Sequence, residues 1–135
     1  MGSITSSIHN INHEKIKFHN NIIESGMLGK VIKVLSPNTF IIIIVHKRKI
    51  KKYLCKGYGY KPADNTDCNH IISKVNSILN TVDSLVDITS YGIDENGYLL
   101  VELNNNIFHD SINNTIRLEK GIDYEINYDH FNKVL

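Results

Sequence analysis

The chain has 135 residues, 41% hydrophobic and 21% charged, with two cysteines, two prolines and no tryptophan. A chain of that length folds by default as one domain burying roughly two-thirds of its unfolded surface, and Cys55 and Cys68 alone cannot form the dense framework of a disulfide-stapled scaffold. Net charge is +1, the longest apolar run, Phe40 to Val45, falls far short of the roughly 20 residues that span a bilayer, and the first residues lack the pattern of a signal peptide. A cytoplasmic or nuclear protein with no membrane partner is expected.

The composition is skewed, with 22 Ile, 17 Asn, a single alanine (Ala63) and no glutamine. Ile, Asn and Lys share AT-rich codons, so genome bias accounts for the skew. Large DNA viruses and some parasites carry such a bias, and a viral protein of the virion or host cytoplasm is the expected source. The small net charge conceals an asymmetry. Residues 1–56 carry 10 Lys+Arg against 2 Glu, and residues 57–135 carry 5 against 12 acids. Either the surface is polarised or the two halves neutralise each other in the fold.

In chain order, residues 1–25 are polar and weakly patterned, an arm expected to be partly disordered or to supply one edge strand around Lys15 to Ile23. From Gly29 the pattern is all strand. GKVIKVL alternates, SPNT supplies turn chemistry, and FIIIIVH is β-branched, as in a strand buried on both faces or in a barrel. HKRK forms a charged hairpin tip and KIKKYLCKGY resumes extended structure. Beyond Pro62, Thr66 or Asp67 caps a helix with Ile71, Ile72, Val75, Ile78, Leu79 and Val82 at helical spacing. SLVDITSYGI and GYLLVEL are two strands around an Asn96-Gly97 turn, with Tyr91-Gly92 as a bulge. A short helix follows, capped by Asp110 or Ser111, with Ile112, Ile116 and Leu118 on its apolar side and Gly121 as its stop. The domain is expected to close by residue 128, with a tail over 129–135.

Three strands, a helix, two strands and a helix make a mainly β, α+β chain. Four segments sharpen that order. Residues 29–40, GKVIKVLSPNTF, resemble the first strand and Asp-Gly-Asp-Thr turn of the staphylococcal nuclease-like family; LCKGYGYKP resembles its Arg/Lys-Gly-Ile-Asp-Thr-Pro-Glu segment. DENGYLLVEL resembles the Asp-Lys-Tyr-Gly-Arg hairpin, and the helix ending at Gly121-Ile122 resembles the Asn-x-x-Leu-Val-x-x-Gly-Leu element. The resemblance spans about residues 28–125 and implies a five-stranded OB-type barrel with two or so helices.

In that family two aspartates and a threonine hold calcium, a glutamate activates water and two arginines bind phosphate. Hard cations need carboxylate oxygens, and the phosphorane charge needs guanidinium forks. Carried over, the turn aspartate is Asn38, the second aspartate Gly59, the threonine Tyr60 and the glutamate Pro62. The arginines fall on Leu54 and Tyr98, and Thr39 alone is retained in the first turn. From Ser25 to Ala63 there is no acid at all, so no shift of register restores two calcium ligands. The resemblance therefore implies a degenerate site, a pseudoenzyme with no metal and no cofactor.

Lys47, Arg48, Lys49, Lys51, Lys52 and Lys56 place six cations in the eleven residues from His46 to Lys56, with Tyr53, Tyr58 and Tyr60 interleaved. OB-type barrels bind single strands by basic grooves and stacking aromatics, so these cations with Tyr58 and Tyr60 are candidate contacts to DNA or RNA. The plainer reading is a solvated tip whose charges prevent edge pairing. His9 and His13 lack a third ligand, and Cys55 has the alternation of a buried thiol. The expected function is a nucleic-acid- or protein-binding module. The alternatives are a metal-dependent nuclease with a rebuilt site and a self-associating structural protein.

Overall fold

The computed structural model describes residues 8–125; the predicted tail at 129–135 lies outside the described residues. An arm over residues 8–24 contains a short 3-10 turn at His13–Lys15 and strand β1 (Phe18–His19). β2 (Met27–Ser36), β3 (Thr39–His46) and β4 (Lys49–Gly57) form the predicted meander, and β5 (Tyr60–Pro62) leads to helix α1 (Cys68–Asn80). β6 (Leu85–Ile93), β7 (Leu99–Asn104), helix α2 (Ile112–Arg117) and β8 (Ile122–Tyr124) complete the chain.

β2, β3, β4, β7 and β6 close into a barrel. All neighbours are antiparallel except β4 and β7, which run parallel through Cys55↔Leu99 to Gly57↔Val101 and close the ring. This is a closed, mixed five-stranded barrel of OB type with two helices. Its curvature has local causes. The β2–β3 ladder shifts register between Val31 and Lys33 and between Val34 and Ser36. The β6–β7 ladder shifts between Ser90 and Ile93, where Gly92 adopts φ +99°. Each bulge bends and twists its strand, which closes a small ring. β5 and β8 form a separate two-stranded sheet, as Pro62 cannot donate into a longer ladder.

Strand alternation fills the interior. Val34–Phe40–Cys55 and Val31–Ile42–Tyr53 are cross-strand rows whose members pack in or against the core. Helix α1 is capped by the Asp67 carboxylate, which accepts from the Asn69 amide, and its buried face is Ile71, Val75 and Leu79. Ser111 caps α2, whose buried residues are Ile112, Asn113 and Ile116. Leu118 departs from expectation, being 83% exposed. The helix ends at Arg117, so Leu118 leaves the periodic face.

Candidate functional site: an apolar stripe with lysine flanks

Residues in register share a face of the sheet, which fixes the outer wall of β2–β3–β4. Ile41 lies between Lys33 and Leu54, Ile43 lies between Lys30 and Lys52, and Val45 faces Ile50. An apolar stripe on β3 thus runs between lysines on β2 and β4. At its end the β3–β4 hairpin turns over Lys47 and Arg48, both left-handed at φ 50° and 66°. Such a two-residue turn requires positive φ twice and is relaxed by Asn-Gly, not by Lys-Arg, which are strained by about 1–2 kcal/mol each. Lys47, Arg48 and Lys49 are exposed and, with Lys30, Lys33 and Lys51, form no ion pair with a described residue. The neighbouring His46 meets Glu24 at 3.0 Å.

The other predicted contacts are distributed differently. Lys51 stands in the inward row with Gly29 and Ile44. Lys52 is on the stripe but only 8% exposed: its ammonium donates to the His13 carbonyl at 2.9 Å and sits 4.5 Å from the Phe18 ring centroid. Lys56 faces Asp94 at 3.8 Å and Glu125 at 3.7 Å. Tyr58 lies against Tyr91, ring centroids 4.4 Å apart; burial raises its phenol, with Arg117 offsetting part of the rise. Tyr60 is completely buried and belongs to the core, where its ring has no face for a base.

Of the positions where the resemblance puts nuclease chemistry, Leu54 belongs to the outer row and Tyr98 to the β6–β7 turn, while Asn38 and Gly59 adjoin that tyrosine. Its hydroxyl donates to the Pro37 carbonyl at 2.8 Å, and burial raises its pKa strongly. Its ring lies where a Cβ on Gly57 would stand, 2.5 Å from the nearest ring atom, so only glycine permits the fit. The Asn38 amide donates to the Tyr60 carbonyl at 3.3 Å, its own carbonyl oxygen accepts from the Ser36 hydroxyl, and Ser36 also bonds Thr39. Gly59, at φ +88°, offers its carbonyl to the Arg117 guanidinium and to the Glu125 amide. Leu54 and Pro62 are half-buried, and the Tyr98 amide donates to Asp94 in the tight hairpin. The residues at the turn are thus bonded to one another. No group of three His, Cys, Asp or Glu converges among the described residues.

Asn113 is structurally central and carried no signal in the sequence, one asparagine among seventeen. Almost fully buried, it accepts from the Leu103 amide at 2.9 Å and donates to the carbonyls of Val101 and Tyr58 at 3.0 and 3.1 Å. It thereby ties α2 to the β4–β7 seam. Comparison with family models, curated proteins and solved structures gives no match.

Proposed function

We propose that the protein is a single-stranded nucleic-acid-binding module on a nuclease-like barrel that has lost cleavage chemistry. The observation that carries this reading is the Lys47-Arg48 turn. Two cations occupy left-handed backbone positions at a stability cost, at the end of a lysine-flanked apolar stripe. In OB-type barrels the outer face of the second and third barrel strands is the one that binds oligonucleotides, and here those strands are β3 and β4. Lysines flanking the stripe suit a phosphate backbone, and the aliphatic stripe offers bases apolar contact without ring stacking. Loss of cleavage is supported by the acid-free stretch from Ser25 to Ala63 and by Tyr60 filling the space beneath the first turn.

The test is fluorescence anisotropy of a labelled oligothymidylate, and of its RNA counterpart, at increasing salt. Four phosphate contacts give a log–log slope of about −3 on single strands, and the probe is recovered uncut with Ca²⁺, Mg²⁺ or Mn²⁺. Absence of binding at low salt overturns the binding reading; metal-dependent cleavage overturns the loss of chemistry.

A further inference from the structure

The stripe is partly covered by the chain's own arm. Ile43, on the outward row, is completely buried, and so is Ile8, yet neither belongs to the barrel-interior cluster. What lies over that row is the arm: β1 pairs in parallel with β4 through only Phe18↔Lys52 and His19↔Tyr53, and the His13 carbonyl takes the Lys52 ammonium.

The two halves of the arm are held unequally. Residues 22–24 are anchored: Ile22 reaches the core, the Ser90 hydroxyl donates to its carbonyl at 2.7 Å, and the Ser90 amide donates to Glu24 at 2.7 Å. Residues 8–19 are held by two paired residues, the Lys52 contacts, the His19 ring, 6.0 Å from that of Tyr53, and the burial of Ile8. That half leaves Phe18 53% exposed and buries His13 Nδ1 with no hydrogen-bond partner among the described residues, a defect of about 1–3 kcal/mol. Lys52 is a nearly buried cation facing a neutral carbonyl and a ring, with no described carboxylate to compensate it.

A carbonyl oxygen on the ammonium and an aromatic ring over the cation are what a phosphate oxygen and a base would supply. We propose that residues 8–19 are an autoinhibitory strap, displaced from Lys52 and Ile43 by single-stranded nucleic acid while residues 22–24 stay anchored. The inference rests on the nucleic-acid reading above.

The experiment compares the full-length chain with Ile8→Asp and Phe18→Ala, both outside the barrel interior, by anisotropy with the labelled oligothymidylate. A strap closed about nine-tenths of the time lowers apparent affinity about tenfold, so the loosened variants bind about tenfold tighter. Their salt slope steepens by about 0.7 as Lys52 becomes available. In the native chain, hydrogen exchange at the Phe18 and His19 amides accelerates when the oligonucleotide is added. If the native chain binds and both folded variants bind no tighter, the strap is overturned and the nucleic-acid reading stands. If no chain binds, both fall.

Discussion

Asn113→Ala is expected to lose about 3 kcal/mol of stability in urea denaturation, with the denaturant slope unchanged. The truncation leaves the buried Leu103 amide without its acceptor and removes a donor from the carbonyls of Tyr58 and Val101. Val101 keeps the Tyr58 amide, so the loss concentrates on Leu103 and Tyr58. Asn113→Asp fares no better, since it retains the acceptor, loses both donors and places a charge in the core. The neighbouring Asn114→Ala is the control. Asn114 reaches the exposed Asp110 at 2.7 Å and Arg117 at 2.6 Å, contacts near the surface that contribute under about 1 kcal/mol. Equal losses at the two positions would contradict the role given to Asn113 in sealing the seam.

The second large effect has opposite signs in two assays. Replacing Lys47-Arg48 by Asn-Gly relaxes both left-handed residues, and stability rises by about 2–4 kcal/mol. Binding moves the other way. Two lost phosphate contacts reduce the single-strand salt slope by about 1.4, which at 0.1 M salt is roughly 25-fold in affinity relative to 1 M. A tip whose charges only discourage edge pairing would gain stability with no change in binding, so the pair of measurements separates the two readings.

The barrel was legible because its signals are local. Period-two alternation, the β-branched run at 41–45 and the turn residues at Ser36–Asn38 and Asn96-Gly97 each fix a strand or a reversal without reference to the rest of the chain. The small β5–β8 sheet was not legible, because three-residue strands carry no periodicity and the pairing joins residues about sixty apart. The sequence of the arm reads as a loose segment with one strand; its parallel docking on β4 depends on Lys52 and Ser90, which no local pattern announces.

The site divides along the same line. Lys47, Arg48 and Lys49 are exposed because a hairpin tip is exposed in almost any packing. Lys52 and Tyr60 resemble their neighbours in sequence, but what covers them is distant: the arm in one case, and the fold-back at Gly57 in the other. The missing carboxylates between Ser25 and Ala63 were plain from the sequence. What fills the space beneath the turn required the structure.

The most direct test of the central claim, that the outer β3–β4 wall and its basic tip bind single strands, is an amide-resolved NMR titration with oligothymidylate at low salt. The account predicts shifts concentrated at Lys30, Lys33, Ile41–Val45 and Lys47–Lys52, with the β6–β7 wall around Thr89 and Glu102 unmoved. Shifts confined to the β6–β7 wall, or none at saturating oligonucleotide, would contradict it.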